Sequence, residues 1–384
     1  VWHVLERKEV KMTTRMEAAL KAVKEKIGND DSREYHVARA LLLGYEARWG
    51  ASEWEALAVE EQFDVPIVNP GNMAEHPYTL VGMVDTRVKG YGYENVMLEH
   101  KTTKADFSKP DTHYFDKLPY DQQISIYSLA AIANGHPLEG TIYDVIRRPS
   151  IRPKKIPRGS VAKVHEEGEL GTSAEIIVRG TYWGQRCTAE TEIYVTENMD
   201  KTIQESSELF GLRVLYNCLE FPDNHYHRTD LITRRNEFLL SETVPALWHI
   251  AEEIADARKE GKLPRFYQNS GSCYSFSTPC EFLSLCQGVS DIDNEEHWEP
   301  RQGGTVSGDG KLSTSSISCW MLCRRKFYYR YVKKIQRRGR KEPVATSIGS
   351  IIHTGLESWW RFRDEHDSDR EPARSDTQGS NREA

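Results

Sequence analysis

The chain has 384 residues, enough for one large domain or two ordinary ones. A hydrophobic fraction of 38% and a charged fraction of 28% suit a soluble globular protein, and no run of about 18 apolar residues is present to cross a membrane. The 51 Lys and Arg against 58 Asp and Glu leave a net charge of −7, which excludes a binder that presents positive charge over its whole surface. No apolar stretch follows Val1, so no secretory signal is read and a cytoplasmic location is expected. The chain lacks an initiator Met, as a fragment would.

Periodicity lays out the first half in order. Met16, Ala19, Leu20, Val23 and Ile27 recur at helical spacing, and Val37, Ala40, Leu41, Tyr45 and Trp49 do so again after the turn residues Asn29 to Ser32. Leu57 to Val68 reads as a strand. Leu80 to Val88 and Val96 to Thr103 read as a hairpin around the Gly-containing turn Lys89 to Glu94. Residues 119–134 read as a helix and Gly140 to Ile146 as a further strand.

The second half is less regular. Residues 147–200 hold short β-like runs at Ala174 to Val178 and Thr191 to Val195. His225 to Ser241 suggests one or two strands, and Thr243 to Lys259 an amphipathic helix. Pro264 to Cys286 is a cysteine-bearing loop. These spans divide the chain into a core over 1–286, a linker over 287–312, a patterned segment over 313–362 and a polar, disordered tail over 363–384.

The chemistry starts in the hairpin. Alternate residues of a strand share a face, so Glu99 and Lys101 point one way and His100 the other. The turn brings Asp85 beside Glu99 on the neighbouring strand. Two acids and an amine then converge, a hard-oxygen set suited to Mg²⁺ or Mn²⁺. An isolated E-x-K is commonly a surface ion pair. The apolar flanks Val81 to Val84 and Val96 to Leu98 argue otherwise, since charge beside a buried strand carries a cost that needs a reason. Gln123 and Tyr127 are i and i+4 on the following helix and share a face.

These residues resemble a family. Gly82-Met83-Val84-Asp85, then Glu99-His100-Lys101-Thr102-Thr103, then Gln123-Ile124-Ser125-Ile126-Tyr127 is similar to the core of the PD-(D/E)xK nucleases, in the RecB-like exonuclease branch. The resemblance implies an α/β, restriction-endonuclease-like core with a mixed central sheet flanked by helices. It implies Asp85 and Glu99 as metal ligands, Lys101 as the catalytic amine, and Gln123 and Tyr127 as supporting or DNA-contacting residues. The substrate implied is DNA, as single strands or ends, in recombination, repair or phage DNA processing, with a helicase or recombination protein as a partner class. A backbone carbonyl within Leu98 to His100 is an implied extra ligand. A non-cleaving DNA-binding scaffold and an inactive nuclease fragment are the rival readings.

Seven cysteines, an odd number, argue against a secreted disulfide framework. Cys273, Cys280 and Cys286 follow C-x6-C-x5-C spacing, and three thiolates cannot close a four-ligand site. RecB-like nucleases of the AddB and CRISPR-associated exonuclease type bind a 4Fe–4S cluster with one cysteine from an early helix and three from near the C-terminus. The early-helix signature is present in this chain at the other end. Leu312 to Ser316 followed by Cys323-Arg324-Arg325-Lys326-Phe327-Tyr328-Tyr329-Arg330-Tyr331 resembles it, with Arg324 in place of the usual proline. Gly349-Ser350-Ile351-Ile352-His353-Thr354-Gly355-Leu356-Glu357 is similar to the helix that follows, whose histidine is a metal ligand in the family. On the residues alone, His353 reads rather as a core histidine on an amphipathic helix beside Ile352, Leu356 and Trp360.

The resemblance thus implies Cys323 as the fourth cluster ligand, with Cys319 as runner-up, and His353 as a further metal ligand. The cluster would staple a helical and loop region to the core. Cys187, Cys218 and, its runner-up role aside, Cys319 have no partners at ligand spacing and read as small hydrophobes. The order of segments reads as a circular permutation, since 313–362 followed by 12–286 restores the usual pattern. A chain joined from two fragments, or the start of a second truncated nuclease domain, are the alternatives. From Arg324 to Lys341 there are no Asp or Glu, so this stretch, together with Arg147 to Lys155, is the expected DNA-backbone contact.

Overall fold

The structure is a computed structural model that describes residues 12–153 apart from 108 and 110–112, 155–157, 202–204, 207–301 apart from 262 and 276–277, 310–339, and 344–367. The β-like runs at 174–178 and 191–195, and Cys187, lie outside the described residues. Helix α1 (Thr14–Ile27) is capped by Thr13 and α2 (Arg33–Trp49) by Ser32, each side chain accepting a first-turn N–H. Strands β1 (Glu55–Val68), β2 (Glu75–Gly90) and β3 (Tyr93–Thr103) form a meander. Helix α3 (Gln122–Ala133) then crosses to β4 (Gly140–Arg147), which runs parallel to β3.

A helix that no periodicity had announced, α4 (Ser207–Glu220), leads to the short edge strand β5 (Tyr226–Arg228), antiparallel to β4. The expected strand region 225–241 is strand only at its start. From Asn236 the chain is helical, passing through a π-turn at Leu239–Thr243 into α5 (Val244–Glu260). The π-turn precedes Pro245, whose missing N–H breaks the regular ladder.

The linker expected over 287–312 is in part folded. Strand β6 (Trp298–Pro300) buries Trp298 and pairs with β8 (Ile335–Arg337), and β7 (Lys311–Ser313) enters the central sheet. Helix α6 (Thr314–Leu322) starts at a Ser313/Ser316 capping box, and α7 (Val344–Asp367) ends the described chain. The backbone at 363–367 is therefore helical where a disordered tail was expected to begin.

The central sheet is mixed, in the order β1-β2-β3-β4-β5, with β7 parallel to β2. Each face carries its own core. On one, α1, α2, α4 and α7 pack on Val88, Val96, Leu98, Ile142 and Ile146; on the other, α3, α5 and α6 pack on Phe63, Val65, Leu80, Val84 and Met97. Residues of 311–367 sit in both cores, Leu312, Ile317 and Trp320 in the second and Ile352, Leu356 and Trp360 in the first. The C-terminal segment completes the same sheet and cores as the rest of the chain; it does not begin a separate unit. Lys26 meets Thr354 and Arg15 stacks on Trp359, so α7 runs antiparallel to α1, its C-terminal end toward the N-terminal end of α1.

Two irregularities prepare the site. Val88 and Val84 have the same parity on β2 yet pack into opposite cores, as do Val59 and Phe63 on β1. The alternation reverses where Glu60, at φ 54°, faces Asp85 between the paired positions Val59↔Thr86 and Glu61↔Val84. At the same point β2 and β3 part. Their pairing runs from Gly90↔Tyr93 to Thr86↔Leu98 and stops, after which β3 follows β4 through Thr103 and β2 follows β1. Further along, β7 takes the edge of β2 that β3 has left, at Thr79 to Val81.

Candidate active site

The fork between β2 and β3 leaves the His100 N–H without a strand partner. The Asp85 carboxylate accepts it at 2.9 Å. A side chain thereby replaces the missing ladder bond, and Asp85 is fixed at the fork. On β3, Lys101 Nζ donates to Glu99 Oε1 at 2.7 Å and to Gln123 Oε1 at 2.9 Å, while Gln123 Nε2 donates to the same Glu99 oxygen at 2.8 Å. The three side chains form a closed triangle between β3 and the first turn of α3. Tyr127, one turn on, lies edge-on to Phe63 with ring centroids 5.5 Å apart, and its hydroxyl hydrogen-bonds Gln123.

From the other face, α7 brings His353 Nδ1 to 3.9 Å from Asp85 Oδ2, and its ring hydrogen-bonds the backbone of His100. Gly349 permits this approach, since a Cβ there would stand 2.9 Å from Thr102 Oγ1. The predicted residues Asp85, Glu99, Lys101, Gln123, Tyr127 and His353 are therefore brought to one locus. His100 points into the first core, 3.6 Å from the buried Asp144, which also takes Tyr45 and Arg228.

Burial dominates the electrostatics. It pushes the Asp85 carboxyl up to about 7, and it pushes Glu99 up to about 7 with Asp85 adding to the effect. Burial also lowers His353, which stays a neutral imidazole, the form that ligates metal. For Lys101, burial pulls down, but the Glu99 carboxylate beside it more than offsets this and the net shift is upward. Lys101 is thus an ammonium ion, able to donate and unable to act as a base.

Sequence reading missed two acids. Glu60 sits across from Asp85 on β1, and burial followed by the nearby Glu357 raises its carboxyl to about 7. Glu357 is four residues after His353 on α7, and that i, i+4 spacing was the signal that could have found it. Nothing in the sequence announces the left-handed backbone at Glu60, φ 54°, where it faces Asp85.

The donor set fits a hard divalent cation. It offers two carboxylates and an imidazole, and Glu99 Oε2 is buried without a hydrogen-bond partner among the described residues. As they stand, no three His, Cys, Asp or Glu side chains among the described residues are gathered closely enough to hold a metal. A cation held here would need Asp85, Glu99 and His353 to come closer together than they stand.

Cys273, Cys280, Cys286 and Cys323 lie on neighbouring segments, with no three of them gathered closely enough to hold a metal. Asn269 Nδ2 and Ser272 Oγ donate to the Leu322 carbonyl at 2.8 and 2.9 Å, and Arg325 binds the Phe266 and Tyr267 carbonyls. The loop carrying Cys273 is thereby docked on the segment carrying Cys323. Burial raises the Cys286 thiol to about 11, with Cys280, Cys323 and Cys273 adding to the shift, so the four thiols lie within electrostatic reach of one another. Cys319 is buried in the second core and Cys218 in the first. The start of the basic stretch is committed to this docking: Arg324 pairs with Glu253 at 2.7 Å and stacks on Tyr267 and Trp320. Arg324 and Arg325 therefore help to hold the fold together.

Residues 311–382 match the family model of the PD-(D/E)XK nuclease superfamily. The match takes in β7, α6 and the His353 helix and stops short of the Asp85–Glu99 hairpin. Comparison with curated proteins and with solved structures finds no match. Among the described residues no helix is long and apolar enough to cross a membrane.

The raised carboxyls set a pH dependence. An acid whose native pKa exceeds its unfolded value binds more protons when folded, so stability falls as pH rises from the usual carboxylate range to about 7. The metal-free protein should lose stability, on the order of a few kcal/mol, between about pH 4 and about pH 7. Urea unfolding in EDTA should show a shallower fall for Asp85→Asn; an equal fall would contradict the assignment.

Proposed function

We propose that the protein is a divalent-metal-dependent deoxyribonuclease of the PD-(D/E)xK type, acting as an exonuclease on single strands or DNA ends. The observation that carries the reading is the fork at which Asp85, Glu99, Lys101, Gln123 and His353 meet. Asp85, Glu99 and His353 would hold Mg²⁺ or Mn²⁺, which when bound lowers the pKa of water and offsets charge on the scissile phosphate. Glu99 and Gln123 hold the Lys101 ammonium in place. From there it orients the attacking water and stabilises the added negative charge as the phosphorus–oxygen bond breaks. Burial of the carboxylates keeps bulk water from competing for the site.

Lys101→Ala should lower Mn²⁺-dependent DNA hydrolysis by about 10²-fold or more. It should leave binding of the oligonucleotide in EDTA nearly unchanged. Equal, nonzero cleavage by both proteins would remove the mechanism. Binding without cleavage by the wild type would favour a non-cleaving scaffold.

The cluster and the order of segments belong to the same reading. Cys273, Cys280, Cys286 and Cys323 would bind a 4Fe–4S cluster that staples the loop to the segment after α6 and does no redox work in the reaction. The docking of that loop on Leu322 to Arg325 supports this. A circular permutation accounts for a family match at 311–382 that lies after the hairpin, and the antiparallel approach of α7 to α1 is what a loop joining them in the usual order would require. Cys323→Ser should abolish bound iron and visible charge-transfer absorbance. Wild-type protein made and purified without oxygen that carries neither would overturn the cluster.

A further inference from the structure

A second recess opens beyond the carboxyl end of β3. It encloses ≈ 210 Å³ and draws its charged lining from Arg33, Glu34, Lys104, Arg148 and Arg152. That volume lies below the roughly 300 Å³ at which pockets for drug-sized ligands begin, so it suits a group the size of a phosphate. Four cations face one carboxylate, and that carboxylate, Glu34, lies 4.0 Å from Arg33. Apolar walls from Val37, Phe210 and Ile348 strengthen the field inside by excluding water.

Three features single out this recess from an ordinary basic surface. Arg148 Nε, like Arg147 Nε, is buried with no hydrogen-bond partner among the described residues, but the Arg147 guanidinium is turned to Asp106, its Nη1 at 2.8 Å, while Arg148 lines the recess. Arg33 and Glu34 form the first turn of α2, a 17-residue helix whose N-terminal end adds positive potential. The recess also lies off the carboxyl ends of the parallel neighbours β3 and β4, where open α/β sheets bind ligands.

Its position ties it to the fork. Lys104 comes three residues after Lys101, about 10 Å along an extended chain. The Arg148 N–H donates to the Thr103 carbonyl at 2.7 Å, which locks the Arg148 backbone to the end of β3. Ile348 precedes Gly349, the point at which α7 touches Thr102.

We propose that this recess binds a phosphate of the nucleic-acid strand, next to the one being cleaved, and so sets where the strand is held relative to Lys101. The inference rests on the nuclease reading. The source of the phosphate is either the strand terminus or an internal linkage, and the substrates below separate the two.

The test is binding of a labelled single-stranded oligonucleotide to the full chain in EDTA, followed by fluorescence anisotropy across a salt series. Arg148→Ala and Lys104→Ala should each weaken binding several-fold and reduce the slope of log affinity against log salt by about 0.7, one phosphate's share on a single strand. Glu34→Gln should tighten binding, a gain that misfolding cannot imitate. Oligonucleotides with a 5′-phosphate, a 3′-phosphate or hydroxyls at both ends complete the set. A preference for one phosphorylated end that Arg148→Ala erases assigns the recess to the terminus; an equal loss for all three assigns it to an internal phosphate. Unchanged slopes in both alanine variants, with no gain in Glu34→Gln, would overturn the recess while leaving the nuclease reading standing. Absence of any DNA binding by the wild type would overturn both.

Discussion

The parting of β2 from β3 after Thr86↔Leu98 is the constraint on which the rest of the site depends. A continuous ladder would keep Asp85 and Glu99 as ordinary cross-strand neighbours and leave no room between them. The parting frees the His100 N–H, and a free buried N–H is costly unless something accepts from it. Asp85 supplies that acceptor, so the bond that repairs the sheet also fixes the carboxylate. The same opening admits side chains from both faces, Gln123 of α3 from one and His353 of α7 from the other.

Holding carboxylates in such a place costs stability, and the surrounding structure offsets it. Asp85, Glu99 and Glu60 are all driven toward neutrality by burial. On the far side of β3, the buried Asp144 takes Tyr45 at 2.5 Å and Arg228 at 3.1 Å and so anchors β4 and β5 beside the fork. Breaking such a pair leaves an uncompensated charge, which costs about 3–5 kcal/mol. The segment 311–367 contributes as well, because β7 covers the edge of β2 exposed by the parting and α7 roofs the opening.

Much of this was legible in the sequence because the signals were local. Apolar, β-branched runs on either side of a glycine turn marked the hairpin, and the two-residue period of a strand put Glu99 and Lys101 on one face. The i, i+4 pair Gln123 and Tyr127 followed from helical geometry, and the mixed sheet flanked by helices came with the family resemblance. What could not be read depended on tertiary context. Glu60 enters the site at a left-handed backbone position, and the reversal of alternation at Asp85 has no sequence mark. Trp298 lies in an acidic stretch with the composition of a linker, yet stacks on Phe282 in a small core of its own. Arg324 and Arg325 have the composition of a DNA-binding run, but their partners Glu253, Phe266 and Tyr267 lie far back in the chain and convert them to struts.

The most direct test of the central claim is calorimetric titration of the protein with Mn²⁺ above neutral pH, where the carboxylates are ionised. The account predicts binding by the wild type that weakens by about tenfold or more in each of Asp85→Asn, Glu99→Gln and His353→Ala, as loss of one atom that touches the ion requires. Mn²⁺ affinity unchanged across all three variants would show that the fork does not hold a cation and would contradict the account.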